Sequence, residues 1–293
     1  MKSILGRRSA VVRVLVCAVL ALGLSASVGG CSGIEKIGDT LEKGEKLATN
    51  LMFPTKEEIK LGRQVSKEFE EQVKLHQDPE VQAFIAELGQ SLVAKADDKN
   101  PEIEFSFKVV DDLKTINALA MPGGHIYVYS GLIILSQSEA ELAAVLSHEV
   151  AHVTRRHVLQ RLTAVHGLEA LQKVALGEDS SMAIELATDM ATNGVILKYS
   201  RDHESDADLH GMNYLIGAGF NPQGFVDFFT KLASQESSTP EFLSSHPLPE
   251  NRLKAVEKSI ASRSNVPVMQ TRDEDSWDAF KAKVISGSNV SSN

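Results

Sequence analysis

Residues 146–157 read LSHEVAHVTRRH, which places three histidines and one glutamate within twelve positions. On an α-helix that turns about 100° per residue, His152 lies about 40° round from His148, one turn along the same face. Glu149 falls about 100° to the side, and Leu142, Leu146, Val150 and Val153 fall on a separate apolar face about 120–200° away. Two imidazoles at i and i+4 can both reach one ion at the zinc–nitrogen distance of about 2.0–2.1 Å. The intervening carboxylate sits too far round to bind the same ion, and it is placed to take a proton from a water that the ion activates. His148 and His152 are therefore expected to hold a metal, with Glu149 as general base. The competing reading, a helix whose polar residues merely face water, has no use for this separation of faces.

Such a site needs a third ligand. On the same wheel His157 lies about 140° from His152, on the apolar side, and is expected to be a structural, hydrogen-bonded histidine. A histidine six residues after His152 would complete another known zinc pattern, but that position is Val158. The stretch SRDHESDAD offers Glu204, with Asp208 one turn later on the same face. Glu204 is the expected third ligand, and Asp208 is expected to accept a hydrogen bond from the outer nitrogen of a metal-bound histidine, which fixes the ring. Ala207 and Gly211 flank that face and would let the two helices approach closely. His203 is a weaker rival, about 100° away from Glu204.

The motif helix, SQSEAELAAVLSHEVAHVTRRHVLQRLT, is expected to be one helix capped by Ser136 or Ser138, with Glu139 or Glu141 completing a capping box. Before it, IEFSFKVV (103–110) alternates apolar and polar residues as a half-buried strand does. NALAMPGGHIYVYSG (117–131) reads as two strands joined by a Pro-Gly-Gly turn. The fold class expected is α+β: mostly helical, with a small antiparallel sheet of about three strands and a zincin-like active-site helix. Thr55 with Glu58, Asp78 with Pro79, and Asn221 with Pro222 mark further helix starts. The strand at 124–130 is a candidate exposed edge on which an extended peptide backbone would pair.

The chain has 293 residues with a net charge of −9 and an ordinary apolar content. The negative balance argues against a nucleic-acid partner. Residues 1–30 carry four basic residues and no acid, then a short apolar run from Val14 to about Leu24, which is the pattern of a secretory signal. VGGCSG follows, as at a bacterial lipoprotein cleavage site, so Cys31 is the expected lipidated residue. Ser32 rather than aspartate after it points to the outer membrane. The other cysteine, Cys17, lies within the signal, so no disulfide is expected in the mature chain. The expected organisation is a signal peptide at 1–30, a tether at 31–53, a catalytic domain at 54–262 and a polar C-terminal tail at 263–293. No later stretch is apolar for long enough to span a bilayer.

NALAMPGGHIYVYSGL, HEVAHVTRRH, SRDHESDAD and SSHPLPENR, in this order, resemble peptidase family M48, over roughly residues 55–255. The resemblance implies one Zn2+ per chain on His148, His152 and Glu204, with Glu149 as the catalytic base. It also implies that His246 comes near the zinc, as an inhibitory ligand or a transition-state stabiliser, and that Arg252 is structural. Arg201 is a second candidate for stabilising the oxyanion. The chain departs from membrane-embedded relatives, because residues 165–176 carry His166, Glu169, Gln172 and Lys173, and it lacks tetratricopeptide repeats. It looks most like the short lipoprotein branch, which implies a metalloendopeptidase facing the periplasm and acting on unfolded or misassembled envelope proteins. The alternative is a zinc-binding lipoprotein with a chaperone or assembly role and little proteolysis.

Overall fold

The alternating run that ends at Val110 forms β1 (Ser106–Val110), in the chain's computed structural model, which describes residues 53–192, 198–234, 240–247, 250–263 and 272–289. Phe105, Phe107 and Val109 are buried while Glu104 is exposed, as the alternation requires. β2 (Ala118–Ala120) and β3 (His125–Tyr129) are joined by a single 3-10 turn at Pro122–Gly124, in which Gly123 takes a φ of 73°. That left-handed backbone is open to glycine at little cost. The sheet is mixed, a correction to the antiparallel sheet expected. β3 pairs antiparallel with β2 but parallel with β1, so the order is β1-β3-β2. Sequence alternation fixes which face each strand buries but says nothing of strand direction. β3 is consequently the central strand, and the exposed edge expected at 124–130 is not there.

Helices surround this sheet. α1 (Thr55–Glu70) and α2 (Pro79–Val93) precede it, and α3 (Ser130–Leu135) leads to α4 (Glu139–Thr154). α5 (His157–His166), α6 (Leu168–Ala175) and α7 (Ser180–Thr192) follow, then α8 (Arg201–Gly217) and α9 (Gln223–Ala233). Short α10 (Glu241–Ser245), α11 (Glu250–Ala261) and α12 (Glu274–Asn289) complete the described chain. Asp78 caps α2 by accepting from the backbone of Glu80 and Val81, with Pro79 at the first position. Ser138 caps α4, accepting from Glu141 N–H. Thr55 does not cap α1: it lies inside the first turn and accepts from Asn100 Nδ2, while Glu58 is buried against Arg156.

α4 is the axis of the domain. Every residue from Ala140 to Val153 is buried, and the helix touches α8, α9, α2 and β2. An amphipathic helix would bury one stripe; one enclosed on all sides can carry ionisable groups only if they are paired or bind a cation.

The motif segment is not one helix. α4 stops at Thr154, and Arg156 adopts a left-handed conformation (φ 58°, ψ 25°), the one such non-glycine among the described residues. A residue with a Cβ holds this backbone only where its surroundings fix it. Here Arg156 Nε donates to Glu58 Oε2 at 2.9 Å and Nη2 to Phe53 O at 2.7 Å. The expected polar tail also contains a docked helix: Trp277, Phe280 and Val284 of α12 are buried, and Trp277 Nε1 donates to Ser136 O at 2.9 Å. Their spacing, about one face of a helix, lies within a stretch too short and polar to stand out. Cys31, the leader and most of the tether lie outside the described residues. No helix among the described residues is long and apolar enough to cross a membrane.

Candidate metal centre

Two helices and one turn build the site. α4 supplies His148 and His152 at adjacent turns and Glu149 beside them. α8 supplies Glu204 and Asp208, and the bend after α10 supplies His246. α8 can come close because Gly211 faces the α4 backbone: a Cβ there would lie 3.0 Å from His148 N and Ser147 O. Gly211→Val is expected to wedge the helices apart and cost about 1–3 kcal/mol of overpacking. The checks are a lower melting temperature and less than one bound metal per chain, measured on the purified protein.

His148, His152, Glu204 and His246 each bring one donor atom to a common centre, all within 4.8 Å of one another, and all four residues are buried. His148 Nε2 lies 3.0 Å from His152 Nε2 and 3.3 Å from His246 Nδ1. Glu204 Oε2 is 3.6 Å from His148 Nε2, and its Oε1 is 3.5 Å from His152 Nε2 and 3.1 Å from His246 Nδ1. Donors on a tetrahedron with zinc-ligand arms of about 2.0–2.1 Å stand about 3.3 Å apart. These separations match, and the imidazole-plus-carboxylate set is one that divalent metals take. In neutral histidines the converging lone pairs find too few protons between them, a frustration that a cation relieves.

Behind the donors stands a shell of partners. His148 Nδ1 is 3.1 Å from Asp208 Oδ1, a close polar contact whose angle falls short of a well-formed hydrogen bond. Arg252 Nε and Nη2 donate to the two oxygens of Asp208 at 2.8 and 2.7 Å, and Nη1 donates to Glu204 Oε2 and to Pro247 O. One guanidinium thus bridges the two buried carboxylates and fixes both. Arg201 is exposed in the first turn of α8.

The electrostatics sort the groups. Burial raises the pKa of Glu204, but His246, His152 and Arg252 outweigh it and hold the carboxylate well below its usual range. Burial pushes His152 well down, which keeps its imidazole neutral, as a metal ligand must be. Burial also pushes down on His246, yet the adjacent Glu204 and Glu149 carry it above normal. Glu149 is raised, chiefly by burial. Neither of its oxygens has a hydrogen-bond partner among the described residues, though His246 Nε2 lies 3.4 Å away and the backbone N–H of Ala120 is near enough to favour the charged form. A fully buried carboxylate left without partners is costly unless a ligand completes it.

Sequence reasoning missed three contributors. Tyr199 stacks on His152 at 3.9 Å between ring centres, Phe242 stacks on His246 at 4.4 Å, and Asp206 hydrogen-bonds His157. Nothing in local spacing marks them, because each depends on how distant segments cross. His157 itself is buried and hydrogen-bonded.

The pattern of peptidase family M48 matches residues 76–260. The chain is 31% identical over 230 residues to the beta-barrel assembly-enhancing protease of Escherichia coli, covering 74% of this chain and 46% of that protein. It is 33% identical over 208 residues to the protein of that name from Yersinia pestis, covering 67% and 42%. It is 35% identical over 152 residues to the E. coli metalloprotease YcaL, covering 50% and 59%. The chain therefore spans less than half the length of the two assembly-enhancing relatives.

Proposed function

The chain belongs to peptidase family M48, and on that premise we propose that it is a zinc-dependent endopeptidase of the cell envelope. The observation that carries this reading is Glu149, wholly buried and without a hydrogen-bond partner among the described residues, beside converging metal donors. His148, His152 and Glu204 hold one zinc per chain. Zinc held there supplies a Lewis acid to the scissile carbonyl and brings the pKa of water to about 7. Glu149 takes the proton of the attacking water and delivers it to the leaving amine, so one C–N bond is exchanged for one C–O bond. Burial raises its pKa, which favours acceptance of the proton.

The substrate backbone pairs with β2 rather than with β3. Tyr129 N–H bonds Asn117 O and Met121 N–H bonds His125 O, so the odd positions face β3 and Ala118 and Ala120 face outward. β2 packs beside α4. Pairing there reads backbone rather than side chains, which suits unfolded or misassembled envelope proteins, in keeping with the names of the relatives. A lipid anchor at Cys31 in the outer membrane, facing the periplasm, would bring the domain to such substrates.

His246 acts as a latch. Its Nδ1 stands among the donors and its Nε2 near Glu149, where the reacting water and carbonyl must lie. The segment before it is pinned by Phe242 N–H on Ile116 O and by Tyr199 N–H on Ser245 O. If the latch closes the site nine-tenths of the time, His246→Ala raises basal proteolysis about tenfold. Unchanged or lower basal cleavage of an unfolded protein by that variant would falsify the latch and leave His246 as a stabiliser of the transition state. The metal assignment is tested by X-ray absorption on purified protein: a zinc edge with nitrogen and oxygen neighbours supports it, and a different metal or a sulfur ligand overturns it.

A further inference from the structure

The two histidine ligands are supported differently. His148 turns its outer nitrogen directly to a carboxylate, Asp208. His152 turns its outer nitrogen to a second imidazole: His152 Nδ1 and His157 Nδ1 share a hydrogen bond of 3.2 Å. His157 Nε2 in turn lies 3.1 Å from Asp206 Oδ2. We infer that His157 and Asp206 form a carboxylate–imidazole relay that positions His152, and that the left-handed turn at Arg156 exists to build it.

The tautomers close without conflict. A His152 that binds through Nε2 keeps its proton on Nδ1 and donates it to His157 Nδ1. His157 then carries its own proton on Nε2 and donates it to Asp206. Each ring is thereby held in one tautomer, and the outer nitrogen of a ligating histidine is satisfied as such nitrogens generally are. On an unbroken helix His157 would lie about 140° from His152 and could not reach it. Ending α4 at Thr154 and passing through αL at Arg156 folds the His157 ring back. Flat contacts fix the planes: His157 stacks on His203 (4.5 Å, 17°) and His152 on Tyr199 (3.9 Å, 22°). The same oxygen, Asp206 Oδ2, also accepts from Arg155 Nε at 2.8 Å.

α8 therefore serves the site with two faces. Glu204 and Asp208 address α4, while Asp206, about 200° round from Glu204, addresses the turn after α4. Interposing an imidazole carries the support of His152 from a half-buried carboxylate into the core, where a bare aspartate side chain is too short to reach.

This inference rests on the reading of the site as a metal centre, and the two fail separately. Zinc affinity of the full chain is measured by competition with a chromophoric chelator, alongside the visible spectrum of the cobalt(II) form. His157→Leu removes the acceptor, and is expected to weaken zinc binding about 10–100-fold and to perturb the cobalt bands. His157→Gln restores an acceptor oxygen and is expected to recover most of the loss. Asp206→Leu, at a half-buried position, is expected to weaken binding several-fold. Equal loss in the leucine and glutamine variants, or no loss in either, overturns the relay. Should His157→Leu not fold, long-range proton–nitrogen correlation spectra of the zinc-loaded wild type decide: His157 protonated on Nε2 supports the relay, and protonated on Nδ1 overturns it. Wild-type protein that binds no divalent metal sinks the metal-centre reading itself.

Discussion

Glu149→Gln is expected to lower peptide hydrolysis about 10²–10⁴-fold, the usual worth of a positioned general base, while zinc stays bound at one per chain. Glutamine is nearly isosteric, so packing at this fully buried position is kept. What is lost is the proton acceptor, and nothing else in the site replaces it: Glu204 is held ionised and engaged by Arg252, and Asp208 is bridged by the same guanidinium. The loss should fall on kcat and on kcat/KM alike, since the interaction belongs to the transition state. The measurement is single-substrate kinetics on an unfolded envelope protein, with metal content determined on the same sample. Equal degradation by wild type and variant would reject the peptidase reading. Equal rescue of envelope defects in cells by both proteins would favour the chaperone alternative.

The second large effect is on stability. Arg252→Met should destabilise the metal-free protein by about 3–5 kcal/mol, because it strands two buried carboxylates. For a domain of this size that corresponds to a fall in melting temperature of about 6–20 °C. Arg252 is itself almost fully buried and stacks over Phe229 at 5.2 Å, so solvent cannot take its place. Zinc should shrink the deficit, since a cation on the other side of Glu204 supplies part of the missing charge. Arg252→Lys keeps the charge but not the fork that holds Asp208 on two oxygens, and should fall between the two. Thermal melts with and without zinc provide the check, and a metal-free Arg252→Met variant melting within about 2 °C of wild type would contradict the bridging role.

The centre of the site was legible because its information is local. His148, Glu149 and His152 lie within five residues, and the angular relations of one helix suffice to put both imidazoles on one face with the carboxylate beside them. Glu204 and Asp208 were legible for the same reason, and the small residues Ala207 and Gly211 announced the close helix contact. Prediction stopped where the helix did. Nothing in VTRRHV marks Arg156 as left-handed, because glycine or asparagine is what ordinarily signals that conformation. The projection of His157 onto the wrong face followed from that one backbone angle. Strand direction failed similarly: β1 and β3 are parallel because β3 inserts between its two predecessors, a tertiary choice that alternation leaves open. Arg201 precedes Glu204 by three residues, yet it is exposed where Glu204 is buried. The helix at 274–289 was missed because its apolar residues are few, although Trp277 is among the most enclosed side chains of the molecule.

Glu204, Asp206 and Asp208 stand at alternate positions of one helix: the first and last share Arg252, while Asp206 answers to His157 and Arg155. Inserting or deleting a single residue between Ser200 and Asp208 would swing everything downstream by about 100°, detaching Asp208 from Arg252 and Gly211 from the α4 backbone in one stroke. Evolution and engineering can thus substitute along α8 but cannot change its length. Variation in chain length has to be absorbed outside this segment of α8.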